Sequence, residues 1–312
     1  MASVLVTGAA GFLGRHLCAA LVEGRRVIGA VRSPASIPGV AVELAVGETG
    51  LGELVLRQRP EQVIHAAFTT RKPADWPVAR YLQSSIAVDA ALFEACAAVG
   101  ASLILVSSSA VYGSAEGLID EDQSRNPVSL YGIAKVMQEM LAEHWQRIAS
   151  LPCCIVRPFN LCGPGQGPGM LLPDWVKGAV AIARGGERVL KVYTRASSRD
   201  FVDVRDAVRA IVLIASHFRS GDKFNIAAGK AVPLSEVSEA LQRLSPISYE
   251  VLETHPSLGT TDVSAQVGSF ARIEAQLGWR PEIDWQTSLR DLFEEQLQAA
   301  VRPGSNGNPD GQ

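Results

Sequence analysis

The sequence has no surplus of charge of either sign. Lys and Arg number 29 against 32 Asp and Glu, a formal charge of −3, so it offers no broad basic surface to a nucleic acid or an anionic membrane. Any anion site has to be local, built from a few cations in a pocket. The five cysteines make no CxxC pair, and their odd number fits no disulfide framework; reduced, buried thiols are the simplest reading. The five histidines are scattered, so no metal site is expected. No apolar run reads as a membrane span. The opening MASVLVTGAAGFLG lacks the basic segment, long apolar core and cleavage site of a secretion signal, and a cytoplasmic location is expected. Apolar residues at 47% against 20% charged supply enough core material to exclude a disordered chain.

What is present is an alternation. Ser3–Thr7, Arg26–Val31 and residues 62–66, 103–107 and 153–157 are short apolar or β-branched runs that read as strands. Residues 14–23, 79–99 and 130–149 carry apolar side chains at helical spacing. This order implies βαβ units and an α/β fold whose parallel sheet is covered on both faces, which is why its strands read as continuous apolar runs. After Pro158 the character changes. Residues 162–170, CGPGQGPGM, are too long and too rich in glycine for a simple turn and read as a binding loop. Helical patterns follow at 172–184, 204–217, 234–244 and 271–277. No internal repeat is found. Residues 303–312, PGSNGNPDGQ, read as a frayed tail.

Gly8, Gly11 and Gly14 stand in TGAAGFLG, directly after the first strand and opening the first helix. Glycines there allow a tight turn and a close backbone approach, and the helix N-terminus offers free N–H groups to an anion. The flanking strand and helix make a dinucleotide pyrophosphate the expected ligand, against the plainer alternative of an ordinary strand–helix turn. The second strand ends in Ala30-Val31-Arg32-Ser33. An acidic residue that would bind ribose hydroxyls is missing, whereas Arg32 and Ser33 suit a 2′-phosphate. NADP(H) is therefore the preferred cofactor, with NAD(H) possible.

Tyr131 and Lys135 form YGIAK, four residues apart and on one helix face. A tyrosine titrates near pH ~10 in isolation, so a neighbouring ammonium, together with the positive nicotinamide of an oxidised cofactor, is expected to lower it into a useful range. Ser107, Ser108 and Ser109 lie at the end of a strand in VSSSAVYG; alternation separates Ser108 from its neighbours. Together these groups describe hydride transfer at a carbinol or ketone. Tyr131 handles the proton, Ser108 orients the substrate oxygen, and Lys135 tunes Tyr131 and holds the cofactor ribose.

These motifs, with VIHAA (63–67), RPFNLCGPGQ (157–166), RDFVDVRD (199–206) and LGWRP (277–281), resemble the extended short-chain dehydrogenase/reductase family of sugar-nucleotide epimerases, dehydratases and reductases. The likeness covers about residues 3 to 297. It implies a Rossmann, doubly wound parallel sheet over residues 1–160, a return segment near 191–226, and a smaller mixed α/β substrate-binding region over 161–300. The family pattern selects Ser108 as the catalytic serine. It implies cofactor contacts from Gly8, Gly11, Phe12, Leu13, Arg32, Ala66 and Lys135 and from the backbone near Pro158. Asn160 and Arg199 are implied as contacts to a nucleotide-sugar substrate. Residues 191–210 have the length and pattern of the branch that reduces a GDP-linked 4-keto-6-deoxysugar; an NAD-dependent epimerase and a non-catalytic cofactor sensor are the rival readings.

The sequence also departs from the pattern. A second diphosphate-binding arginine is expected where Ser257-Leu258-Gly259-Thr260 stands, Ser85 replaces an asparagine, and Cys162 replaces a tyrosine or histidine. His65 reads as a packing residue, Arg71 and Lys72 as surface groups that could border the substrate, and Asp120-Glu121-Asp122 as a solvated loop. Residues 86–98 and the helix bearing Tyr131 resemble the pair that joins two copies in this family, so a homodimer is expected.

Overall fold

The computed structural model describes residues 2–193, 195–254 and 265–301. The chain begins with β1 (Ser3–Thr7), α1 (Phe12–Leu21), β2 (Arg26–Val31), β3 (Ala41–Leu44), α2 (Gly50–Gln58), β4 (Gln62–His65), α3 (Val78–Val99) and β5 (Ser102–Val106). A 3-10 turn at Ser109–Tyr112 and β6 (Gly117–Ile119) lead to α4 (Leu130–Ala149) and β7 (Cys153–Pro158). The second half holds β8 (Asn160–Cys162), α5 (Leu171–Ala183), β9 (Val189–Val192), β10 (Ser198–Arg199), β11 (Phe201–Asp203), α6 (Val204–Ser216) and β12 (Lys223–Ile226). It continues with β13 (Val232–Pro233), α7 (Leu234–Leu244), β14 (Glu250–Glu253), β15 (Ala265–Gly268), α8 (Ala271–Leu277) and α9 (Trp285–Val301).

Seven strands form one sheet in the order β12-β7-β5-β4-β1-β2-β3, and every neighbouring pair in it is parallel. Strand order reverses at β1, which lies between β4 and β2. Side chains of β1 feed both faces: Val4 and Val6 join the core under α1 and α6, and Leu5 joins the core under α2, α3 and α4. A third core lies outside the large sheet, where α5, α7 and α9 pack together through Trp175, Val237, Leu241, Trp285 and Leu289. The chain returns to the sheet as β12, whose Phe224 and Ile226 complete the α6 face. All five cysteines are reduced and buried, and they are spread over α1, α3, β7 and β8.

β3, α2 and α9 are among the elements that went unplaced in the sequence. β3 is a short edge strand with no buried residue. α2 starts on Gly-Leu-Gly and runs only nine residues. α9 is polar except for the narrow stripe Trp285, Leu289, Leu292 and Phe293 that it buries. By length and composition α3 is apolar enough to cross a membrane, against the expectation that no segment is. It packs between α2 and α4 and buries Asp89. Glu121 also departs from expectation. It is buried rather than solvated, accepts the Asn225 N–H at 2.7 Å, and pairs with Arg272 at 3.3 Å.

A buried ion pair joins α4 to the sheet. Arg157 of β7 donates from Nε and Nη2 to the two oxygens of Glu139, at 2.9 and 2.7 Å. The pair is nearly or fully shut from solvent, at 2% and 0% side-chain exposure. Removing one partner strands the other charge in the interior. Arg157→Met is expected to destabilise the fold by about 3–5 kcal/mol, measurable as a lower urea midpoint with an unchanged slope.

Candidate active site

Because the sheet is parallel and in register, β1, β4, β5 and β7 end along one edge, with Thr7 beside His65 and Val106 beside Val156. The predicted site residues gather at this edge. Gly8 turns with φ +67°, and Gly14 lies so close beneath it that a Cβ there would overlap the Gly8 carbonyl oxygen. Ala66 and Ala67, just past β4, back the loop. α1 starts at Gly11 with no side-chain cap and no acidic residue in its first turn. The N–H groups at Phe12 and Leu13 and the positive end of the helix dipole are thus left for an anion. A close backbone cradle and an uncapped helix N-terminus at the point where strand order reverses fit a dinucleotide pyrophosphate.

Arg32 and Ser33 follow β2 directly and are both exposed. Pro158 closes β7 and is buried. Asn160 opens β8 and pairs across it with Phe201 of β11; its Nδ2 donates to Asp200 O at 3.0 Å. Arg199 lies on β10, two residues before that pairing, half-buried, with Nη1 donating to Ser198 O at 2.8 Å. The Gly/Pro loop is tied to α1 by His16 Nε2 and Pro164 O at 2.9 Å. Arg71, on the loop after β4, is exposed and approaches that loop at Gly169. The position expected for a second diphosphate arginine lies outside the described residues. Among the described residues, no cluster of His, Cys, Asp and Glu could hold a metal ion.

The three serines after β5 separate cleanly. Ser107 donates to Glu139 Oε1 at 2.5 Å, and Ser109 is buried. Ser108 alone stays half-open; its Oγ accepts the Ala110 N–H at 3.1 Å, and its side chain is hydrogen-bonded to Tyr131. α4 begins at Ser129, whose Oγ accepts the Gly132 N–H at 3.0 Å. A Cβ on Gly132 would sit 2.5 Å from Ala110 O, so the glycine of YGIAK is what lets α4 press Tyr131 against the Ser108 turn.

The electrostatics correct one expectation. Tyr131 is not acidified by the chain's own groups. Burial pushes its phenol up to about 12, against the pull of a hydrogen bond with Ser108. Lys135 is buried, and its Nζ lies 6.0 Å from the Tyr131 ring centre while donating to Val106 O at 2.8 Å and Gln138 Oε1 at 3.0 Å. Burial brings that ammonium down to about 8. Desolvation disfavours the charged form of each group and is the largest cause of both shifts. Sequence reasoning also missed Phe68, whose ring stands 5.5 Å from the Tyr131 ring, edge to face, and 4.0 Å from Lys135 Nζ. Its only signal was a position directly after VIHAA.

Residues 4–227 match the NAD dependent epimerase/dehydratase family. A GDP-6-deoxy-D-mannose reductase of Pseudomonas aeruginosa is 29% identical over 94% of this chain and 96% of its own. Among solved structures, RMD from Pseudomonas aeruginosa with NADPH superposes with a TM-score of 0.81 at 28% identity, over 96% of this chain and 100% of that one. MoeE5 with UDP-glucose and NAD superposes at 0.84 with 30% identity, over 96% and 99%.

The glycine cradle generates a test. Gly14→Ala forces the α1 turn away from the Gly8 carbonyl. It is expected to cost about 1–3 kcal/mol of stability and to weaken dinucleotide binding by at least about tenfold, or ~1.4 kcal/mol. Chemical denaturation and fluorescence titration read the two effects.

Proposed function

The chain belongs to the NAD dependent epimerase/dehydratase family, and on that premise we propose that it reduces a keto group of a nucleotide-activated deoxysugar, with NADP(H) as preferred cofactor. The observation that carries this reading is geometric: Tyr131 is hydrogen-bonded to Ser108, and Lys135 Nζ lies 6.0 Å from the Tyr131 ring centre. Burial raises the Tyr131 pKa, so the phenol is a proton donor at neutral pH, as an ordinary tyrosine is; that is the form a ketone reduction needs. An epimerase must start by removing a proton from a carbinol, for which a phenolate is the better form. When bound, the nicotinamide supplies the hydride to the carbonyl carbon. Ser108 donates its hydroxyl proton in a hydrogen bond to the carbonyl oxygen, and Tyr131 delivers its own proton to that oxygen as negative charge develops there. The product is the alcohol, and Tyr131 is reprotonated from solvent. Lys135 stabilises the transient phenolate and holds the ribose. Arg199 pairs with the substrate diphosphate, and Asn160, which pairs with Phe201 two residues beyond Arg199, contacts the sugar nucleotide.

The similarity to a GDP-6-deoxy-D-mannose reductase supports a GDP-linked 4-keto-6-deoxysugar as substrate. The likeness to MoeE5, in complex with UDP-glucose and NAD, and the 28% identity to a UDP-glucose 4-epimerase of Azospirillum brasilense support the alternative of an NAD-dependent epimerase. We also propose a homodimer through α4, where Ile133, Met140 and Ile148 are exposed at 41%, 54% and 62%, an apolar stripe that a second copy would cover.

The deciding experiment follows NADPH consumption with a panel of GDP-, UDP- and dTDP-linked keto sugars. Oxidation of NADPH with one of them is expected; turnover of a UDP-hexose on copurified NAD, with no added reductant, would replace this reading with the epimerase. Tyr131→Phe should lower kcat by about 10²–10⁴-fold while cofactor binding persists. Arg32→Ala should weaken NADPH by roughly tenfold or more and leave NADH unchanged; equal affinities in variant and wild type would remove Arg32 from the site.

The pH dependence has a definite sign. Lys135 is cationic below its pKa of about 8, so reductase activity should be lost as pH rises through that value. A kcat profile flat to pH ~10 would contradict it, since an ordinary lysine stays charged there.

A further inference from the structure

A buried polar chain runs behind Lys135. Asp89, midway along α3, is only 2% exposed. Its Oδ1 accepts from His65 Nε2 at 2.9 Å and from Gln138 Nε2 at 2.9 Å. Gln138 Oε1 in turn accepts from Lys135 Nζ at 3.0 Å. On the other arm, Thr7 Oγ1 meets His65 Nδ1 at 2.7 Å and accepts the Ala67 N–H at 3.0 Å. One assignment of protons satisfies the whole chain. A carboxylate only accepts, so Gln138 must turn its NH₂ toward Asp89 and therefore its oxygen toward Lys135. Thr7 then donates to His65 Nδ1, and His65 donates from Nε2. Asp89 is the acceptor on which both arms end. Its second oxygen is buried with no hydrogen-bond partner among the described residues.

We propose that Asp89 is a positioning residue for Lys135: its carboxylate orients the Gln138 amide against the Lys135 ammonium, and its charge keeps that ammonium cationic beside Tyr131. The proposal rests on reading Tyr131 and Lys135 as the working pair. The ionisable groups gathered there are Asp89 and Tyr81 from α3, Tyr131 and Glu139 from α4, His65 from β4 and Arg157 from β7. Glu139 is committed to Arg157 at 2.7 Å and Arg125 at 3.3 Å, and Tyr81 donates to Thr69 O at 2.8 Å. Asp89 has no arginine or lysine paired to it among the described residues; its contact is to His65 Nε2 at 2.9 Å, an ion pair only when the imidazole is protonated. Against the burial that lowers Lys135, Asp89 acts first and Glu139 second to hold its proton on.

The test reads Lys135 directly in cofactor-free protein. The chain has six lysines; carbon-13 labelling of their side chains, with Lys135→Met for assignment, gives the Lys135 titration midpoint by NMR. Asp89→Asn keeps the shape and the Oδ1 acceptor and removes the charge. The midpoint is expected to fall by at least about half a pH unit, with the alkaline limb of kcat moving down alongside it. An unchanged midpoint in a folded Asp89→Asn protein overturns the proposal. Should that variant fail to fold, Gln138→Leu breaks the same bridge: a lowered midpoint supports the proposal and an unchanged one overturns it. The NMR readout uses no substrate, so failure of the protein to reduce any keto sugar would leave this result standing.

Discussion

The site exists because Glu139 fastens α4 to the sheet. Its two oxygens accept four hydrogen bonds, from Ser107 and Arg157 Nε on one and from Arg157 Nη2 and Arg125 on the other, which uses the lone pairs a carboxylate has. Such an ion pair adds little net stability over a well-packed apolar pair, because desolvating both charges costs about what their attraction returns. What it fixes is register. Glu139 is one helical turn beyond Lys135 and two beyond Tyr131, so anchoring it to β7 and to the end of β5 aims both at the Ser108 turn. Arg157 extends the anchor through Tyr112 at 2.9 Å to Asn225 at 2.7 Å, and so to β12, the strand that returns from the second half of the chain.

That second half is fastened by another buried acid. Asp200 accepts the N–H groups of Ala228, Gly229 and Gly268 at 2.8 to 3.0 Å. Burial raises its pKa to about 6 despite these bonds. It lies between Arg199 and Phe201, so the residues expected to meet the diphosphate are held by a joint linking β10, β11, the loop after β12 and β15. The edge bearing Tyr131 and the segment bearing Arg199 are thus each positioned by one interior carboxylate.

Much of this was legible in the sequence, and the limits have physical causes. β1, β2, α4, α7 and α8 fall on the expected residues because local signals bound them: β-branched runs end at glycine or charge, and Ser129 caps α4. Gly8, Ser108, Tyr131 and Lys135 converge as a linear motif reading foresees, since each sits at a strand end or helix start of one parallel sheet. Phe68, Gln138 and Asp89 were not foreseen. Each matters through contacts with residues distant in the chain, and no local spacing marks them. In the chain alone the Tyr131 pKa is raised because burial outweighs its hydrogen bond with Ser108; the expected lowering counted an ammonium and an oxidised nicotinamide and left out the desolvation of the phenol. Glu121 was misread for a related reason: a run of three acids looks solvated, but one of them is buried against Asn225 and Arg272, both more than a hundred residues away in sequence.

The five buried thiols carry a last consequence. Burial raises the pKa of each one, and only a thiolate reached by solvent reacts with an alkylating reagent. Native labelling therefore waits on transient opening of the surrounding structure. Cys18 reports on α1 and the cofactor turn, Cys96 on α3, Cys153 and Cys154 on the middle of the sheet, and Cys162 on its junction with the second half. The molecule carries its own set of internal clocks, each timing how often a different layer breathes.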